Sequence, residues 1–105
     1  MKEFVTVIVK PPMRPAYTTI VKNSLEAFQT LVGGYVEAVP LHGCLMLVNE
    51  EGKLRGLTVN LAYGSDLIAG TAVFVGSRGP EFTDCGLPWS EICAQVTDLW
   101  LGGEA

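Results

Sequence analysis

The sequence predicts a single α+β domain over residues 1–105, a small antiparallel sheet of about four to five strands with two helices packed on it. Three observations predict this class. An N-x-x-E capping pattern at Asn23 opens a run of helical apolar spacing that stops at Gly33-Gly34. Short β-branched or alternating runs stand on both sides of it, bounded by Pro, Gly and Asn. A second run of helical spacing, behind Pro88, closes the chain.

Phe4 to Val9, FVTVIV, is β-branched on both parities, which suits a central strand covered on both faces, or one with a face packed on a partner subunit. Pro11, Pro12 and Pro15 end it, because proline supplies no ladder donor. The stiff loop PPMRPAY carries Arg14 and Tyr17, and Thr18 to Lys22 reads as extended. Asn23 is the expected N-cap, with Glu26 completing the box. Leu25, Phe28, Leu31 and Val32 then form one apolar stripe, while Glu26, Gln29 and Thr30 face out.

Tyr35 to Val39 alternates as a strand, and Pro40, His42 and Gly43 turn the chain. Cys44 to Val48 is apolar throughout. Asn49-Glu50-Glu51-Gly52 has the residues of a tight turn, with Gly52 at a positive-φ position, so Lys53 to Val59 is expected to return as the second arm of a hairpin. NLAYGSD, Asn60 to Asp66, fits either a helical turn or a loop. Leu67 to Val75 is expected to contain one more strand, with Gly70 as a candidate bulge, and Gly76 to Pro80 reads as a flexible loop. Pro88 is placed for a first helical position, and Trp89, Ile92, Cys93, Val96, Leu99 and Trp100 come after it at helical spacing. The GGEA end is expected to fray.

A chain of 105 residues buries roughly 65% of its unfolded surface, enough for a thin core. Hydrophobic residues make up 49% and charged residues 17%, so apolar surface is left over and self-association into a homo-oligomer is expected. The net charge of −4 argues against a nucleic-acid partner, which wants a basic face. No apolar run approaches the ~18 residues of a membrane span, and the N-terminus lacks a signal-peptide pattern, so a cytoplasmic protein is expected. Three cysteines without paired spacing predict no disulfide framework.

The helix segment Leu25 to Gln29, VGGY at Val32 to Tyr35, Glu37, NEEGKLRGL from Asn49 to Leu57, Asn60 and Ala62 together resemble a known family. It is the uncharacterised domain of unknown function numbered thirty-eight forty-six, from phages, plasmids and other mobile elements of mainly Gram-positive bacteria. The resemblance implies a mobile-element setting and no known chemistry. Small phage proteins often act against host defences, by binding a host protein or sequestering a nucleotide signal, and that context is an analogy.

Catalytic and metal chemistry find little support in the residues. Glu50 and Glu51 on a turn tip diverge into solvent. His42 with Cys44 falls two ligands short of a zinc site, and as a Cys–His nucleophile the pair lacks an orienting third group. Gly33-Gly34 comes after a helix, whereas phosphate loops precede one. No metal, cofactor or enzymatic activity is therefore expected. Tyr17, Tyr35, Tyr63 and Trp89 can stack on a base, and Arg14, Lys53, Arg55 or Arg78 can take a phosphate, although core packing or an ordinary surface position is the commoner role for each aromatic alone. Asn60 either offers its donor and acceptor to a ligand or caps the next turn.

The expected function is a non-catalytic binder that sequesters a small anionic ligand, such as a cyclic nucleotide or ADP-ribose immune signal, with Arg14, Arg55, Asn60 and Tyr63 as contacts. The alternative is a protein–protein inhibitor docking on a host enzyme through apolar surface or a strand edge.

Overall fold

The computed structural model describes residues 2–100. Among the described residues nine strands and two helices succeed one another in the order β1 (Phe4–Lys10), β2 (Tyr17–Lys22), α1 (Leu25–Val32), β3 (Val36–Pro40), β4 (Leu45–Asn49), β5 (Val59–Tyr63), β6 (Asp66–Ala69), β7 (Ala72–Arg78), β8 (Glu81–Thr83), α2 (Trp89–Ile92) and β9 (Thr97–Asp98). The architecture is α+β, with more strands than the sequence predicts. A six-stranded sheet runs β2-β1-β7-β4-β3, with β8 beside the far end of β7, and a three-stranded sheet runs β6-β5-β9. Every pairing is antiparallel.

The large sheet forms the middle layer because its inner strands are apolar on both parities. Val5, Val7 and Val9 of β1 point with Val73 and Val75 of β7 towards Phe28 and Val32 of α1. Ile8, Met46, Phe74 and Ala72 point the other way, onto Leu61 and Ile68 of the small sheet and onto Ile92 of α2. Phe74 and Trp89 meet edge-on with centroids 5.7 Å apart, tying α2 to the central strand. The sequence expectation of a central first strand therefore holds. One of the expected helix layers is replaced by a sheet.

Several local expectations are corrected by tertiary bonds. The N-cap of α1 is Ser24, whose Oγ accepts from the Ala27 N–H at 3.1 Å. Asn23 is occupied elsewhere: its side-chain amide donates to the carbonyls of Lys2 and Phe82. The C-terminal stop is as expected, with Gly33 left-handed at φ 82. Leu25 leaves the apolar stripe and is exposed, so Phe28 and Val32 carry the packing.

Lys53 to Val59 is not a hairpin arm against β4. Both edges of β4 are already taken, by β3 and β7. Asn49 bends the chain instead, its Oδ1 accepting from the Glu51 N–H and its Nδ2 donating to the Val32 carbonyl. Residues 50–57 then coil through consecutive turns, with the Arg55 N–H on the Glu51 carbonyl and the Leu57 N–H on the Gly52 carbonyl. The positive φ falls on Gly56, at 70°, and not on Gly52.

Asn60 to Asp66 forms neither a helical turn nor a loop. It is a hairpin of β5 and β6 around Gly64-Ser65, with Gly64 at φ 60. Leu67 to Val75 is two strands in different sheets, because Gly70 at φ 92 carries the chain from one to the other. The expected loop from Gly76 to Pro80 is the end of β7 and its hairpin to β8. The second helix is one turn long. Hydrogen-bonded turns continue it to Val96, whose N–H donates to the Ile92 carbonyl, and Thr97 and Asp98 then pair with Ala62 and Leu61. The GGEA end lies outside the described residues.

Candidate functional site

The loop between β1 and β2 is tied down at its root by a buried network. Its root is Lys10, fully buried although charged. The Lys10 Nζ donates to the Pro11 carbonyl at 2.7 Å and to Asn60 Oδ1 at 3.0 Å, and pairs with Asp98 Oδ1 at 3.2 Å. Asn60 Nδ2 returns to the Lys10 and Gly70 carbonyls at 2.8 and 2.9 Å. A buried ammonium is tolerated only when paired and hydrogen-bonded in this way. The network joins β1, β5 and β9 and fixes where the loop begins.

Beyond that root, Met13 sits at φ 60, the one left-handed residue other than glycine among the described residues. Its side chain is exposed, so no core packing offsets the strain, which is on the order of 1–2 kcal/mol. Pro12 before it and Pro15 after it hold Arg14 between stiff neighbours.

Arg14 lies on a cleft of about 470 Å³ formed with Val9, Pro11, Tyr17, Leu31 and Thr71 among others. A second cleft of about 290 Å³ shares Leu31 and Thr71 with it and continues past Gly33, Leu57 and Thr58. Neither is lined by a carboxylate among the described residues. Arg14 has no ion-pair partner among them, whereas Lys2, Lys10, Lys53 and Arg55 are matched with Asp84, Asp98, Asp66 and Glu51. Other hollows carry acidic groups: one of about 300 Å³ is bordered by Glu37, Glu50, Glu51 and Asp66.

The four residues singled out from the sequence occupy different surroundings. Arg14 lines the large cleft. Arg55 lines a smaller one of about 170 Å³ with Tyr35 and Glu51, and reaches the Gly33 carbonyl at 3.5 Å, beside the far end of the linked clefts. Asn60 is buried, with its acceptor and both donor contacts committed within the chain, so it neither faces a ligand nor caps the next turn. Tyr63 packs on the small-sheet core and its hydroxyl donates to the Pro40 carbonyl at 3.4 Å. Lys10 is the residue that sequence reasoning missed. Its partners Asn60 and Asp98 are remote in the chain, and only a charged residue ending an apolar strand hinted at it.

The thiols are held in their protonated form. Burial, then its neighbour Cys85, pushes Cys44 up from 9.0 to about 11, and burial also raises Cys85 and Cys93. Cys85 thus meets Cys44, and all three cysteines are free. A thiol with a raised folded value stabilises the fold below its unfolded value of 9.0, and that contribution is lost as pH climbs from there towards 11. Thermal unfolding across this window should show a falling melting temperature, and Cys44→Ala should make the fall shallower. An unchanged slope in the variant would contradict the assignment.

Asp66 and Asp84 are held below the usual carboxylate range, Asp66 by its bond to Lys53 and Asp84 by Lys2 and the Thr6 N–H, both at the exposed surface where such pairs contribute little. Among the described residues no group of three or more His, Cys, Asp and Glu is placed to hold a metal ion. None of their helices is long and apolar enough to cross a membrane. His42 is pinned by its backbone, its N–H donating to Gln95 Oε1 and its carbonyl accepting from Gln95 Nε2.

No curated protein and no solved structure matches the chain. The family model for Domain of unknown function (DUF3846) matches residues 3–96, nearly the whole described fold, and the chain belongs to that family.

Proposed function

We propose that this protein binds a small anionic ligand without chemical conversion, in the cleft beside the proline-rich loop. The observation that carries this is Arg14: a cation without a carboxylate partner among the described residues, on a cleft of about 470 Å³ that no acid lines, in a chain of net charge −4. Guanidinium recognises phosphate or carboxylate with paired hydrogen bonds, and the volume falls within the ~300–1,000 Å³ typical of ligand sites. Tyr17 stands on the same cleft, half exposed, and offers a ring for a base to stack on. Leu31 and Thr71 extend the floor into the second cleft, towards Arg55.

A nucleotide is the ligand class that uses both Arg14 and Tyr17. The mobile-element setting implied by the family resemblance makes a nucleotide immune signal of the host the first candidate. Retention without turnover would then act against host defence.

A thermal-shift panel of linear and cyclic nucleotides and ADP-ribose derivatives tests this. One ligand at micromolar concentration should raise the melting temperature by several degrees, because binding to the native state stabilises it. It should be recovered intact after denaturation, and Arg14→Gln should abolish the shift. A flat panel, or conversion of the ligand, would overturn the proposal. Co-purification of a host enzyme alongside a flat panel would favour protein docking instead.

A further inference from the structure

We infer that the free edge of β2 is an interface for a second copy of this chain, joined as an antiparallel strand about a two-fold axis through Ile20. This goes beyond ligand binding and does not depend on it.

The direction of the β2 backbone groups is set by the ladder. β2 pairs with β1 in unbroken register from Phe4–Lys22 to Val9–Tyr17. One step outside it, the Asn23 N–H donates to the Glu3 carbonyl at 2.8 Å, which makes that pair a mutually hydrogen-bonded one. Alternation then turns Tyr17, Thr19 and Val21 towards β1 and leaves the N–H and C=O groups of Thr18, Ile20 and Lys22 pointing outward. β1 shows the complementary pattern, since the Thr6 N–H and carbonyl bond away from β2, to Asp84 and Cys85.

The two outer edges of the large sheet differ. In β3 the same reasoning, from the Glu50 N–H on the Tyr35 carbonyl, points Val36, Ala38 and Pro40 outward. Pro40 has no N–H to offer and Glu37 adds charge, so that edge is blunted. β2 has no proline, no bulge and a charge only at its end, Lys22. Its outward-bonding residue Ile20 is 67% exposed, and Phe4, on the same sheet face, is 53% exposed. An edge so flat and apolar is a template for another strand.

The strand complements itself. With Ile20 opposite Ile20 of the second copy, the two residues exchange both backbone bonds. Each Lys22 N–H faces a Thr18 carbonyl across the axis. The Lys22 carbonyl already accepts from the Ser24 N–H, so the outer pairs contribute one bond each. The faces of the two sheets coincide in this register, since paired residues share a side. The exposed Ile20 side chains cover one another, and the two Lys22 ammonium groups stand at opposite ends of the seam. A foreign strand would need to supply both of these features.

Sedimentation of the full chain and its variants tests the interface. The wild type should be a dimer at high micromolar concentration. Ile20→Pro removes only an outward N–H, and Ile20→Lys keeps every backbone bond; both should be monomers with native circular dichroism. If the proline variant fails to fold, the lysine variant decides. Ile20→Cys in a Cys93→Ser background should cross-link into a covalent dimer on oxidation, because mutually bonded pairs lie within disulfide reach, at about 5.5 Å between Cα atoms. Thr19→Cys in the same background should not. A monomeric wild type, a dimer that persists in Ile20→Lys, or equal cross-linking at both positions would overturn the inference.

Discussion

Replacing Lys10 with Met should cost about 3 kcal/mol, the lower end of what breaking a buried ion pair costs. The change keeps the length and apolar stem of the side chain and deletes only the ammonium. Asn60 Oδ1 then loses its donor in a fully buried position, and Asp98 loses its cation. The lower end of the range applies because Asp98 is 24% exposed at its side chain and keeps some water. The reverse truncation, Asp98→Asn, leaves a buried cation facing only neutral oxygens and should cost a similar amount. The double variant should lose less than the sum of the two, because the residues share one network. Urea unfolding with linear extrapolation measures all three. Against total stabilities of ~5–15 kcal/mol for a domain, a loss this large is easily resolved. Strict additivity, or a Lys10→Met cost below about 1 kcal/mol, would show that the lysine does not hold the two sheets together.

Gly52→Ala should be comparably damaging, for a steric reason. A Cβ at Gly52 would stand against the Ala69 carbonyl oxygen, far inside van der Waals contact, and that oxygen is a backbone atom of β6 that no rotamer change can move. Such overpacking costs about 3 kcal/mol where the neighbour is rigid. The internal comparison is Gly56→Ala, four residues on. Gly56 has φ 70 and nothing within 4 Å of an added methyl group, so its cost is the conformational one alone, about 1 kcal/mol. Side-by-side denaturation of the two variants separates close approach from backbone conformation. Equal losses would show that the 50–57 segment does not rest on β6.

Gly52 also marks the limit of what local sequence can specify. Asn49-Glu50-Glu51-Gly52 carries the residues of a tight turn, and a turn does form there. The path of the chain beyond it depends on whether β4 has a free edge, and β3 and β7 occupy both. The same holds at Asn23, a competent cap whose amide is claimed by the Lys2 and Phe82 carbonyls, so the cap moves to Ser24. The apolar spacing behind Pro88 is real, since Ile92 and Val96 are buried, and turns follow the one-turn helix as far as Val96, but the chain then becomes a strand in which Asp98 pairs with Lys10. Elements set by local chemistry were legible: the Phe4 strand, the proline stop, α1 and its Gly33 end. Of the candidate site, the proline-rich loop and its Arg14 are local features of the sequence, whereas the cleft that Arg14 lines is assembled from residues far apart in the chain, such as Leu31 and Thr71. Asn60 stood out for the right chemistry, a donor and an acceptor together, but its partner is the Lys10 ammonium 50 residues away in the chain.

The most direct measurement is a titration of the isotope-labelled protein with the nucleotide that gives the largest thermal shift, tracked through its backbone amide resonances. Binding at the proposed place should move Arg14, Tyr17, Leu31 and Thr71 together and saturably, leave Asp66 and Leu67 of the acidic hollow unmoved, and vanish in Arg14→Gln. Saturable shifts centred on any other surface, or undiminished shifts in Arg14→Gln, would contradict the assignment of this cleft.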